Sequence, residues 1–127
     1  MDDKKTILLV DDVKDVRDSL GYVLVEEGYN VKFASNGIEA MQVLSESPTD
    51  VIVTDILMPE MDGVELVTKA MKSHPEIKFI LISGGGTQVS GNSHYDYLRA
   101  SQKLTGINNV LKKPFNPSEL LNMLKQL

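Results

Sequence analysis

The chain has 127 residues, of which 42% are hydrophobic and 24% charged, with a formal net charge of −5. That length suits one domain over residues 1–127 with a core that needs no covalent staples, and the composition is that of a globular protein. There is no cysteine, which excludes disulfides, thiolate metal sites and thiol nucleophiles, and the acidic balance disfavours direct contact with nucleic acid or anionic membrane.

Met1-Asp2-Asp3-Lys4-Lys5 lacks the apolar core of a signal peptide, and no apolar run reaches membrane-spanning length. A cytoplasmic location is the expectation. Thr6-Ile7-Leu8-Leu9-Val10 then reads as a buried strand that stops at Asp11-Asp12. Two adjacent carboxylates there either open the next helix, at the positive end of its dipole, or hold a metal. Val13, Val16, Leu20, Val23 and Leu24 recur at helical spacing, with Gly28 as the stop. Tyr29 to Ser35 is a second strand. Asn36-Gly37 leads into a short amphipathic helix through Ile38, Met41 and Leu44, closed by Pro48.

Val51-Ile52-Val53-Thr54-Asp55-Ile56-Leu57-Met58-Pro59 is the third strand and its exit. An apolar run of this kind is what a strand buried on both faces looks like. Asp55 stands at its tip, and alternation turns Thr54 the other way. Asp62 is a helix cap with Glu65 three residues on; Val64, Leu66, Val67 and Met71 form the apolar side, and Pro75 ends it. Ile77 to Ile82 is the fourth strand, ending at Ser83. Gly84 to Asn92 is a loop by composition. Tyr97, Ala100 and Leu104 suggest a helix stopped by Gly106. Asn109-Val110-Leu111 is a brief fifth strand that runs into Lys112-Lys113-Pro114-Phe115. Asn116-Pro117-Ser118-Glu119 starts a last helix, completed by Leu120, Leu121, Leu124 and Leu127.

Strands and helices alternate five times, which predicts an α/β fold with a parallel sheet and helices on both faces. All strand C-terminal ends then share one edge, where ligand chemistry sits in such sheets. Asp11, Asp12, Asp55, Ser83 and Lys113 fall on that edge. Two like charges about 4 Å apart repel by ~4 kcal/mol at an effective dielectric of 20. A hard divalent cation such as Mg²⁺ offsets clustered carboxylates. Lys113 adds a positive charge suited to a phosphoryl oxygen, and Ser83 a hydroxyl. A nucleophile, a metal, a cation and hydrogen-bond donors are the parts phosphoryl transfer needs, and a carboxylate nucleophile gives an acyl phosphate.

Leu8-Leu9-Val10-Asp11-Asp12, Val53 to Pro59 with Met61-Asp62-Gly63, the strand-end Ser83, and Lys113-Pro114-Phe115 together resemble the receiver domain of two-component response regulators, end to end, in a chemotaxis-type single-domain form. The resemblance implies a flavodoxin-like three-layer sandwich, a five-stranded parallel sheet in the order 2-1-3-4-5 flanked by five helices. It implies that Asp55 accepts a phosphoryl group from a sensor histidine kinase or a histidine phosphotransfer domain. Mg²⁺ would be held directly by Asp12, Asp55 and the backbone carbonyl of Leu57, and through water by Asp11. Ser83 and Lys113 would hold the phosphoryl oxygens. The family pattern selects Lys113 over Lys112 and makes the Lys113–Pro114 bond cis. The surface of the fourth helix, fifth strand and fifth helix, here about Tyr95 to Leu127, would meet a downstream protein.

Three features depart from the family pattern. Val110 stands where many receivers carry an aromatic switch residue, Gly84 follows the strand-four hydroxyl in place of the usual Ala, and the Ser83–Lys113 segment is long. Rival functions fit less well. A haloacid-dehalogenase-type phosphatase needs a second Asp where Leu57 stands. A flavodoxin-like cofactor binder needs a phosphate loop where Asp11-Asp12 stands. Gly84-Gly85-Gly86 lacks the lysine and spacing of a P-loop. His74 and His94 read as solvated polar residues. The expectation is a signalling switch rather than a turnover enzyme, with a phosphorylation-independent interaction module as the alternative.

Overall fold

The computed structural model describes residues 4–56, 61–83, 103 and 106–127. In chain order these form β1 (Thr6–Val10), α1 (Lys14–Glu26), β2 (Asn30–Ala34), α2 (Gly37–Glu46), β3 (Val51–Asp55), α3 (Gly63–Ser73), β4 (Lys78–Ser83), β5 (Val110–Lys112) and α4 (Pro117–Lys125). The strands make one sheet in the order β2-β1-β3-β4-β5, and every pairing is parallel. This is the expected topology. Four helices of the expected five fall among the described residues. The helix read through Tyr97, Ala100 and Leu104, the Gly84–Asn92 loop and the Leu57–Pro59 exit lie outside them. No helix among the described residues is long and apolar enough to cross a membrane.

Alternation along the strands divides the core into two layers. Leu8, Val10, Ile52, Phe79 and Leu81 face one way, onto Ala40 and Leu44 of α2 and Leu66, Val67 and Ala70 of α3. Ile7, Leu9, Val51, Val53, Ile80, Ile82 and Leu111 face the other, onto Leu20 and Leu24 of α1 and Leu120 and Leu124 of α4. Central strands covered on both faces have no use for polar residues until they end. That is why β1, β3 and β4 read as largely apolar runs and why the polar residues at their C-terminal ends mark the functional edge.

The caps expected from sequence form. Asp62 Oδ1 accepts the Glu65 N–H at 3.0 Å, and Glu119 Oε1 accepts the Asn116 N–H at 3.1 Å with Pro117 in the first turn. Asn36 Oδ1 does the same for the Glu39 N–H at 2.8 Å. Gly28 leaves α1 with φ +98°, a conformation that favours glycine.

Three helices differ from the apolar faces expected of them: on α1 it is Val13, which stands at the N-cap and is 47% exposed. α2 buries Gly37, Ala40 and Leu44, while Ile38 is 52% exposed. Gly37 explains the rotation: a Cβ there would lie 2.6 Å from the Met61 carbonyl oxygen. The missing side chain lets this side of the helix close on the β3–α3 connection, and Ile38, ~100° further round, turns outward. Met71 is likewise 39% exposed, because Ala70 takes the inward position on α3.

Gly63 matters most for the edge. Its N–H donates to the Ile56 carbonyl at 2.8 Å, and a Cβ on it would stand 2.2 Å from the Asp55 carbonyl oxygen and 2.8 Å from Ile56 Cα. The first turn of α3 therefore rests on the end of β3. Gly63→Ala is expected to lower stability by about 2 kcal/mol or more, since neither neighbour is a flexible side chain. Urea denaturation measures this; a loss under about 0.5 kcal/mol, the range of a neutral surface change, would contradict the close approach.

Candidate functional site

The strand register builds the site. Val10 lies level with Thr54, so one step further sets Asp11 beside Asp55. Asp55 is level with Ile82, and Ile82 with Leu111. Lys113 follows Leu111 by two residues and so leaves the strand on the same face as Leu111, whereas Lys112 points the other way.

Asp11, Asp12 and Asp55 each offer a carboxylate oxygen, and these oxygens lie within 4.8 Å of one another. Asp11 is 1% exposed and Asp55 7%, while Asp12 faces solvent. Lys113 Nζ reaches Asp11 Oδ2 at 3.3 Å and Asp55 Oδ2 at 3.4 Å. The ammonium thus bridges the two buried carboxylates. Burial alone would pull the Lys113 pKa down, but the charges of Asp55 and Asp11 and their hydrogen bonds outweigh it and the value is raised. A group whose pKa is raised on folding contributes stability fully below its unfolded value and loses it as pH rises through the folded one. On the lysine's side the bridge is therefore intact throughout the neutral range and weakens in alkali.

Asp11 takes the first of the two roles open to it in the sequence and faces the lysine as well. Oδ1 accepts the Val13 N–H at 2.9 Å, fixing the entry to α1; Oδ2 faces Lys113. Asp55 is anchored through its backbone: Thr54 Oγ1 donates to the Asp55 carbonyl at 3.0 Å. Ser83 ends β4 at 1% exposure, and its carbonyl accepts the Lys113 N–H at 2.9 Å. That bond ties the lysine's backbone to the neighbouring strand. The Lys113–Pro114 peptide is cis. Leu57 lies outside the described residues. Val110 is half-buried against the core layer of α2 and α3.

One contact was not anticipated from sequence. Arg17 Nη1 donates to the Asp11 carbonyl oxygen at 2.7 Å. The available signal was a cation near the start of a helix, where the dipole disfavours it; such a residue is expected to be engaged elsewhere.

The family model for the response regulator receiver domain matches residues 7–125. The chain is 37% identical over 123 residues to the response regulator receiver protein CpdR of Brucella abortus, covering 97% of this chain and 96% of that one. It is 36% identical over 124 residues to the sensor kinase CckA of the same organism, covering 96% of this chain but 12% of the kinase. The same unit thus occurs nearly alone and inside much longer proteins. Among solved structures, the response regulator protein TrrA of Thermotoga maritima, in complex with Mg(2+)-BeF, superposes with a TM-score of 0.78 at 32% identity, over 96% of this chain and 97% of that one. With the match spanning nearly every residue and the acidic edge in place, the chain belongs to the response regulator receiver domain family of two-component signalling. Receivers are signalling switches that use an acidic pocket of this kind.

The charge balance makes opposite predictions for two neighbours. Asp12→Asn removes repulsion and breaks no ion pair among the described residues, so the metal-free protein is expected to gain up to about 1 kcal/mol, the range of an exposed charge. Lys113→Met leaves two buried carboxylates without their counter-charge and is expected to cost about 1–3 kcal/mol. Denaturant titration in the presence of a chelator compares them. Destabilisation by Asp12→Asn would show that the cluster is not under electrostatic strain.

Proposed function

We propose that Asp55 is the phosphoacceptor of a Mg²⁺-dependent receiver switch formed by residues 1–127, with Asp11, Asp12, Ser83 and Lys113 completing its site. The observation that carries this reading is the Lys113 ammonium held between Asp11 and Asp55, at 3.3 and 3.4 Å, beside a third carboxylate. One lysine opposes three carboxylates, so the excess charge is negative and the donors are all hard oxygens. That set fits Mg²⁺, which takes one or two carboxylates, waters and phosphate oxygens. Asp12 and Asp55 would hold the ion directly, with the Leu57 carbonyl as a further ligand, and Asp11 through water. When bound, the ion supplies positive charge for the phosphoryl oxygens. A receiver of 32% identity has been solved in complex with Mg(2+)-BeF, which supports a Mg²⁺ site in this chain.

On this reading the chain's own residues act as follows. An Asp55 oxygen attacks phosphorus in line with the donor's P–N bond. The O–P bond forms as the P–N bond breaks and the electron pair returns to the donor ring, which leaves as a neutral histidine because its other ring nitrogen carries a proton. Lys113 exchanges its carboxylate contacts for a phosphoryl oxygen, and the Ser83 hydroxyl donates to another. Such donors act strongly because they sit on strand ends and need little reorganisation. Water later attacks phosphorus, releases inorganic phosphate and restores the carboxylate. The protein is thus a switch in the cytoplasm rather than a turnover enzyme. The donor is a sensor histidine kinase or a histidine phosphotransfer domain. The output is a downstream protein bound through the surface of about Tyr95 to Leu127, with no direct contact to nucleic acid and none to membrane.

Intact mass after incubation with acetyl phosphate tests this reading. A single phosphoryl adduct is expected on the wild-type chain. It should require Mg²⁺ and be absent from Asp55→Asn. No adduct, under conditions that label a control receiver, would favour the phosphorylation-independent interaction module.

A further inference from the structure

α1 carries two cations in its first turns, Lys14 and Arg17, at the helix end where positive charge is disfavoured. Lys14 is accounted for by Asp18 Oδ2 at 2.7 Å, an exposed pair one turn apart. Arg17 turns back instead. Half-buried, it donates through Nη1 to the Asp11 carbonyl oxygen at 2.7 Å. A charged donor at that distance makes one of the stronger single hydrogen bonds in a protein. The carbonyl it holds belongs to the peptide that joins Asp11 to Asp12.

The flanks of that peptide are tied as well. The Asp11 N–H donates to the Ala34 carbonyl at 3.2 Å, and the Val13 N–H donates to Asp11 Oδ1 at 2.9 Å. Rotation of the peptide between them would swing Asp12 relative to Asp55. Electrostatics alone would drive that swing: Asp12 is exposed, and its two carboxylate neighbours repel it toward water. A restraint on the carbonyl opposes the motion. The positive charge of Arg17 is also felt at Glu39 on α2. The Glu39 carboxyl is held below its ordinary value first by the Ser35 backbone N–H and hydroxyl, and to a smaller degree by Arg17.

We propose that Arg17 is a positioning residue for Mg²⁺: by holding the Asp11 carbonyl it sets the Asp11–Asp12 peptide so that the Asp12 carboxylate is presented to the ion alongside Asp55. The inference rests on the Mg²⁺-dependent reading above. Arg17 acts through Asp12, so its loss weakens ion binding more than it slows phosphoryl transfer once the ion is bound. Groups that orient metal ligands typically change metal affinity by about 10–100-fold when removed.

The test compares wild type, Arg17→Met and Arg17→Lys. Thermal unfolding is followed as Mg²⁺ is titrated into chelator-treated protein, and acetyl phosphate labelling is followed over the same Mg²⁺ range. In Arg17→Met the Mg²⁺ concentration giving half the thermal stabilisation is expected to rise about tenfold or more. The labelling midpoint should move with it, while the rate at saturating Mg²⁺ is largely retained. Arg17→Lys keeps a cationic donor for the carbonyl and should recover most of the affinity. A lower unfolding temperature in chelator with an unchanged Mg²⁺ midpoint would mark a purely structural arginine and overturn the proposal. Should Arg17→Met fail to fold, Arg17→Gln carries the same comparison. If Mg²⁺ neither stabilises nor supports labelling of the wild type, the parent reading fails and this inference with it; a wild-type response shared unchanged by the variants defeats the inference alone.

Discussion

Asp11, Asp12 and Asp55 bring carboxylate oxygens within 4.8 Å of one another at the edge of a sheet, and the side chains of Asp11 and Asp55 are buried. Packing does not ask for this, and mutual repulsion opposes it. The Lys113 ammonium, shared between the two buried carboxylates, relieves part of the repulsion and leaves the rest. A site left with surplus negative charge is ready for a cation. A lysine already shared between two carboxylates can be drawn to a third acceptor. Under the proposed function, the same imbalance would give the chain its response to Mg²⁺ and phosphoryl groups.

The remaining structure keeps that imbalance in place. Two core layers grip β1 and β3 from both faces, so the strand ends cannot splay to separate the charges. The register sets Asp11 beside Asp55. The Lys113 backbone is pinned to Ser83. Gly63 lets α3 rest on the end of β3, and Gly37 lets α2 close on Met61, whose carbonyl accepts the Gly37 N–H at 3.1 Å. Glycine at these two contacts is a matter of space: any side chain would push a helix away from the edge that carries the chemistry.

Much of this was legible in the sequence, for physical reasons. Strands buried on both faces announce themselves as apolar runs, and the polar residue at the tip of each is the edge residue. Asp11, Asp12, Asp55, Ser83 and Lys113 could be grouped without knowing a single distance. The choice of Lys113 over Lys112 came from the family pattern, and alternation from Leu111 supplies the structural reason. Helix faces were less legible. Ile38 and Met71 were assigned inward on hydrophobicity, but the close approaches of Gly37 and the small Ala70 decide which side turns in. Such contacts depend on a partner far away in the chain. Arg17 was missed because its partner is a backbone carbonyl, and a carbonyl leaves no mark in a sequence.

The central claim is that one carboxylate of the three, Asp55, receives the phosphoryl group. Borohydride reduction after acetyl phosphate treatment converts a phosphorylated aspartate to homoserine, which peptide mass mapping locates. Homoserine is expected at position 55 alone, and only when Mg²⁺ was present during labelling. Homoserine at position 11 or 12, or at 55 regardless of Mg²⁺, would contradict it.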